Sequence, residues 1–104
     1  MTDKIKIDIQ YFHGCPNSSE MIHRVKEAIK GSKEKIEYNE VLVESNELAE
    51  KLKFRGSPTV LINGEDFEGR EEPKSASLNC RVYENGLPEV EEIRKRIFLQ
   101  SDLK

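Results

Sequence analysis

The start of the chain places a strand, a turn and a helix in direct succession, and this unit limits what the chain can fold into. Apolar side chains alternate with polar ones from Ile5 to Tyr11, which is typical of a strand with one buried face. Gly14 ends the alternation, and Pro16 suits a first helical turn because its missing N–H would have no partner there. Apolar residues then recur at helical spacing from Met21 to Ile29. The pattern predicts the first half of a β-α-β unit with parallel strands.

The rest of the chain completes a mixed sheet. A second strand is predicted from Ile36 to Val43, followed by a short helix and an apolar β run from Thr59 to Ile62. Asn63-Gly64 is a strong signal for a tight hairpin turn, so a fourth strand should follow it. A last helix is predicted to open at Leu87. The order β-α-β-α-β-β-α predicts an α/β (α+β mixed-sheet) fold, with a four-stranded mixed sheet flanked by three helices in one domain over the whole chain.

Charge and hydropathy exclude several classes of protein. The net charge is −3 with both signs interspersed, so the chain lacks the basic balance of a nucleic-acid-binding protein. No apolar run approaches the length of a membrane span, and the first residues lack the layout of a secretory signal. We therefore expect a cytoplasmic monomer that binds neither nucleic acid nor membrane.

Cys15 is the residue with the clearest chemical potential. It lies between the first strand and the first helix, where the positive end of the helix dipole and unpaired N–H groups favour a thiolate over a thiol. A thiolate there would be a nucleophile, whereas the alternative is a cysteine that only packs under the turn. Ser18 follows one helical turn later, so the motif is C-x-x-S. The Ser18 hydroxyl can donate a hydrogen bond to a thiolate but cannot form a disulfide.

The element order, with Cys15-Pro16 at the first strand-to-helix junction, resembles the thioredoxin fold. Tyr11–Ser18 matches the active-site turn of that family, and Val41–Val60 looks like its second strand, second helix and cis-proline loop. The resemblance implies a thiol–disulfide oxidoreductase that needs no cofactor. Its substrate would be a protein disulfide or a low-molecular-weight thiol.

The resemblance also assigns roles to the segment Ser57-Pro58-Thr59. A cis peptide bond is accessible essentially only before proline, so the Ser57–Pro58 bond is expected to be the cis bond of the family. The backbone of Ser57, Pro58 and Thr59 would then hold a substrate polypeptide as a short added strand. The alternative is a trans proline that simply begins the third strand.

A second thiol is missing from the position where dithiol thioredoxins hold their resolving cysteine, because this chain has Ser18 there. An external thiol, a distant cysteine or no group at all could resolve a mixed disulfide at Cys15. Cys80 is the candidate distant cysteine, and the alternative is an ordinary buried thiol. His13 could stabilise the thiolate or transfer a proton, or it could be a solvated loop residue.

The surroundings of Cys80 give a weaker pattern. The stretch from Cys80 to Tyr83 is either extended or an ordered loop. Together with the residues from Ser77 before it and up to Val90 after it, this stretch looks like small stand-alone bacterial and archaeal thioredoxin-like proteins, some of which are labelled as related to alkylmercury lyase. Cys15, His13 and Cys80 could bind a soft ion, but without a C-x-x-C motif no metal site is predicted.

Two functions follow from these observations. The first is a thioredoxin-like thiol–disulfide oxidoreductase that uses Cys15 as nucleophile and is resolved by Cys80 or an external thiol. The second is a non-catalytic binding module on the same scaffold, for a protein partner or a soft metal.

Overall fold

A computed structural model describes residues 4–81, 83 and 86–102, without the side chains of residues 99–102. Within those residues the elements are β1 Ile5–Tyr11, α1 Ser18–Ile29, a 3₁₀ turn at Lys33–Lys35, β2 Ile36–Leu42, α2 Asn46–Leu52, β3 Thr59–Ile62, β4 Glu65–Asp66 and α3 Val90–Asp102. The predicted order of strands and helices is confirmed. Val82, in the stretch whose conformation the sequence left open, lies outside the described residues.

The four strands form one sheet in the order β2-β1-β3-β4. β1 pairs parallel to β2 and antiparallel to β3, and β3 pairs antiparallel to β4. This confirms the mixed four-stranded sheet of the predicted α/β fold. Because Gln10 near the end of β1 pairs with Thr59 at the start of β3, the turn that carries Cys15 begins beside the Pro58 loop.

The main core lies between the sheet and the helices α1 and α3. Its buried side chains come from alternate positions of β1 and from the helical stripes that the sequence predicts, including Ile7, Ile9, Met21, Val25, Ile93 and Ile97. The Arg94 guanidinium on α3 donates hydrogen bonds to the carbonyls of Glu27 and Ala28 at the end of α1. The two carbonyls lie in the last turn of α1, where the regular helical hydrogen bonding ends, so these bonds join α3 to the end of α1.

A smaller cluster of buried apolar side chains forms around α2. Ser45 caps this helix, since its hydroxyl accepts a hydrogen bond from the Leu48 amide at 3.1 Å. The loop after β4 returns to this helix, where the Ala76 amide donates to the Glu50 carboxylate at 2.7 Å. That bond and the Lys53 ammonium hold the pKa of Glu50 below its ordinary value. The loop that leads to Cys80 is therefore fastened to α2.

The last helix begins later than predicted, at Val90 and not at Leu87. The Arg24 guanidinium on α1 donates to the carbonyls of Leu87 and Pro88 at 3.1 and 3.0 Å, which holds these residues as a lead-in outside the helix. In the part of the chain described here, no helix is long and apolar enough to cross a membrane.

Candidate active site

Cys15 and Cys80 are joined by a disulfide. The two sulfurs are 2.09 Å apart and the two Cα atoms 5.7 Å apart, within the range that a disulfide allows. Cys15 is buried, with 8% of its surface exposed, whereas Cys80 is exposed. The alternative of Cys80 as an ordinary buried thiol is therefore wrong, because the loop after β4 carries it back over the turn at the start of α1.

The loop before β3 faces this disulfide. The Ser57–Pro58 peptide bond is cis, and Ser57, Pro58 and Thr59 are all buried. The Tyr83 hydroxyl donates a hydrogen bond of 2.7 Å to the Pro58 carbonyl. Burial raises the pKa of Tyr83 to about 12, so this hydroxyl keeps its proton and remains a donor at neutral pH.

The residues around Cys80 lie on this loop as a short added strand. The Ser57 amide donates to the Asn79 carbonyl at 2.9 Å, and the Arg81 amide donates to the Ser57 carbonyl at 2.8 Å. Ser57 and Cys80 thus form a parallel bridge. We call residues Asn79–Arg81 the Cys80 segment. In the disulfide form this segment occupies the backbone position where the resemblance places a substrate polypeptide, and the role of the loop toward a partner stays a prediction.

The side chain of Ser57 connects the loop to the cysteine turn. Its hydroxyl oxygen accepts a hydrogen bond from the Phe12 amide at 3.1 Å and lies 2.8 Å from the Ser18 hydroxyl oxygen. Ser18 is buried, and its hydroxyl is hydrogen-bonded to the Ser57 hydroxyl. Ser57 therefore links the turn before Cys15, the start of α1 and the Cys80 segment, a role that its place beside a proline did not indicate.

A buried ion pair anchors the Cys80 segment. The Arg81 guanidinium makes two hydrogen bonds to the Asp66 carboxylate on β4, at 2.6 and 2.8 Å, and a third to Glu68 at 2.9 Å. The side chains of Arg81 and Asp66 are 0% and 1% exposed. Burial alone would raise the pKa of Asp66, but the hydrogen bonds from Arg81 and from the Arg70 and Glu68 amides outweigh it and hold that pKa below its ordinary value.

Gly56 allows the Cys80 segment to approach the loop. Its φ of +104° suits glycine, and a Cβ at this position would lie 2.9 Å from both the Arg81 Cβ and the Asn79 Oδ1. Any larger residue would push against the segment. The sequence did not indicate Gly56, Asp66 and Arg81 as site residues. The one available signal was the glycine immediately before Ser57-Pro58, because a glycine there allows another segment of backbone to approach closely.

His13 is exposed, and its ring contacts that of Tyr11 edge-on, with centroids 6.2 Å apart. It borders a pocket of about 250 Å³ that Phe12, Leu42, Val43, Glu44 and Leu78 also line. The proton-transfer role of His13 stays a prediction. Among the residues that the structure describes, no group of three or more His, Cys, Asp or Glu side chains is placed to hold a metal ion.

A family model described as a thioredoxin domain matches residues 4–79. The chain belongs to the thioredoxin-domain family. A search of curated proteins found no match. The matched span contains Cys15, Ser18 and the cis-proline loop, but it ends one residue before Cys80. The partner of Cys15 in this thioredoxin domain is therefore a residue that the family match does not cover.

Proposed function

We propose that this thioredoxin-domain protein is a cytoplasmic thiol–disulfide oxidoreductase in which Cys15 is the nucleophile and Cys80 the resolving thiol. The observation that carries the proposal is the disulfide between them, formed at the start of α1 and against the cis-proline loop. Disulfides in cytoplasmic proteins are usually transient, and they serve catalysis or redox sensing.

The reaction begins with the reduced protein. The Cys15 thiolate attacks one sulfur of a substrate disulfide, and the other sulfur leaves as a thiolate and takes up a proton. The Cys80 thiolate then attacks the Cys15 sulfur, which releases the second substrate thiol and forms the bond seen in the structure. Two electrons pass from the protein to the substrate. Cys80 thereby takes the role of the resolving cysteine, which is absent at position 18. His13, two residues before Cys15, is the residue proposed to exchange the proton.

The proposal is tested with the reduced protein and bis(2-hydroxyethyl) disulfide. We expect Cys15→Ser to abolish reduction of the probe. Cys80→Ser should instead accumulate a mixed disulfide at Cys15, because no internal thiol can resolve it. Intact-protein mass spectrometry detects this adduct. Full activity of Cys15→Ser would refute the nucleophile. Adduct-free turnover by Cys80→Ser when a low-molecular-weight thiol is added, at the rate of the wild type, would assign resolution to an external thiol.

A second candidate function is the binding of a soft cation. The same juxtaposition favours it, because reduction of the disulfide would leave two thiols on residues whose Cα atoms are 5.7 Å apart. Thiolates select soft ions such as Cu(I). Native mass spectrometry of the reduced protein with Cu(I) would show one ion bound, and either Cys15→Ser or Cys80→Ser would remove it. Retention of Cu(I) by both variants would exclude this site.

A further inference from the structure

The Cys80 segment covers the place where a polypeptide partner would add to the cis-proline loop. A strand added there needs the Ser57 amide and carbonyl as its hydrogen-bonding partners. In the disulfide form, Asn79 and Arg81 already hold these two groups at 2.9 and 2.8 Å. A polypeptide that approaches the oxidised site has no free backbone group on Ser57 to pair with.

The segment is also held by contacts that do not involve the disulfide. The Arg81–Asp66 pair lies on its C-terminal side, and the Leu78 amide donates to the Asn46 side chain on its N-terminal side at 3.0 Å. Pulling the segment away would leave the Asp66 carboxylate buried without its guanidinium, which is strongly unfavourable. A polypeptide therefore cannot open this groove at low cost.

A small molecule meets no such barrier. Cys80 is the exposed half of the disulfide. The pocket of about 250 Å³ is lined by the apolar side chains of Phe12, Leu42, Val43 and Leu78 and, on its polar side, by His13 and Glu44. His13 and Leu78 each stand two residues before one of the cysteines. The volume corresponds to about eight water molecules, so the pocket can hold a small organic thiol but not a stretch of polypeptide.

We propose that a low-molecular-weight thiol, and not a polypeptide dithiol, reduces the Cys15–Cys80 disulfide, with its apolar body in this pocket. The inference rests on the proposed function, since it names the reductant of that same site. The first thiolate attacks the sulfur of Cys80, the exposed residue of the pair, the Cys15–Cys80 bond breaks, and Cys15 leaves as a thiolate in the turn before α1.

The second half of the reduction releases the small molecule. A second thiolate attacks the small-molecule sulfur of the mixed disulfide, Cys80 leaves, and a low-molecular-weight disulfide departs. Two electrons pass from the two small thiols to the protein. The two protons that those thiols lose on ionisation are taken up by Cys15 and Cys80.

The test compares two reductants of the oxidised protein at equal thiolate concentration: benzyl mercaptan and an unstructured peptide that contains two cysteines. We expect benzyl mercaptan to be about tenfold faster, because its ring can be buried in the pocket, whereas the peptide cannot make the two backbone hydrogen bonds to Ser57 that Asn79 and Arg81 already hold. Equal rates would overturn the proposal. The proposed function is judged separately, by whether the reduced protein reduces a disulfide, so the two failures are distinguishable.

Two glycine variants isolate the effect of the Cys80 segment. Gly56→Ala places a Cβ 2.9 Å from atoms of Asn79 and Arg81. Gly31 has a similar positive φ of +89°, but a Cβ added there would meet no atom within 4 Å, so Gly31→Ala is the matched control. Gly56→Ala should speed reduction by the peptide about tenfold and Gly31→Ala should not. An unchanged peptide rate in a folded Gly56→Ala variant would contradict the groove argument.

A pocket variant tests the binding of the small thiol and does not depend on how Gly56→Ala folds. Leu42→Trp fills the pocket, so it should slow benzyl mercaptan about tenfold, the loss expected when a small apolar group can no longer be buried. Hydrogen sulfide needs no pocket, and its rate should not change. Equal effects on both reagents would overturn the assignment of the pocket.

Discussion

Reduction of the Cys15–Cys80 disulfide is expected to lower the free energy of unfolding by about 4 kcal/mol. The bond joins residues 65 positions apart. The loop-entropy relation for a loop of that length gives about 15 cal/mol/K, or about 4 kcal/mol at 25 °C. The contacts of Arg81 with Asp66 and of Tyr83 with Pro58 do not require the bond. The folded state keeps these contacts after reduction, so the loss of stability comes from the greater conformational entropy of the unfolded chain.

The same free energy must appear in the redox equilibrium. If the disulfide stabilises the folded state, folding stabilises the disulfide by the same amount, because the four states form a closed cycle. About 4 kcal/mol corresponds to about 90 mV for a two-electron couple. The reduction potential of the folded protein should therefore be more negative than that of the unfolded chain by about this amount.

Both quantities are measurable on one preparation. Urea denaturation of the oxidised protein and of the protein held reduced by a phosphine gives the stability difference, with the Cys15→Ser/Cys80→Ser double variant as the control that cannot oxidise. Redox titration in buffer and in concentrated urea gives the potential difference. A stability difference of less than about 1 kcal/mol between the oxidised and reduced proteins would contradict a loop-entropy effect of this size.

Three further predictions concern residues that hold the fold and the site. Arg81→Met should lower the free energy of unfolding by about 3–5 kcal/mol, because it leaves a buried carboxylate without its counter-ion, and adding Asp66→Asn, which removes the charge but keeps an acceptor for the Glu68 and Arg70 amides, should restore part of the loss in urea denaturation. The lowered pKa of Asp66 stabilises the folded state above the ordinary aspartate pKa, and this stabilisation is lost as the pH falls through the folded-state pKa. The stability advantage of the wild type over Asp66→Asn should thus shrink below about pH 4, and a constant difference down to pH 2 would be inconsistent with it. Ser45→Ala should cost about 1 kcal/mol through loss of the α2 cap, measured by thermal unfolding, with the exposed Ser19→Ala as control.

The fold was predictable because its signals are local. Alternation marks β1, Gly14 marks the turn after it, and Asn63-Gly64 marks the hairpin between β3 and β4. Pro16, expected in the first helical turn, lies in the turn before α1, which begins at Ser18. Each signal acts within a few residues, so the sequence shows it directly. The start of α3 was placed too early because Leu87 and Pro88 are held outside the helix by Arg24, a residue far away in the chain.

The site was predictable only in the parts that share this local character. Cys15 is marked by its place between β1 and α1, and Pro58 by the segment that precedes β3. The pairing of Cys80 depends on the path of the loop after β4, which has no periodic pattern. Arg81 reads as a surface residue in sequence, since arginine is rarely buried, and its partner Asp66 lies on another element.

The central claim is that Cys15 and Cys80 form one two-electron couple in the folded protein. Equilibrating the protein across a series of thiol–disulfide buffers, quenching with acid, alkylating the free thiols and weighing the intact protein tests it most directly. We expect Cys15 and Cys80 to gain their alkyl groups together in a single transition, with none at the oxidising end and two at the reducing end. A form alkylated once at the oxidising end, with one thiol always free, would contradict it.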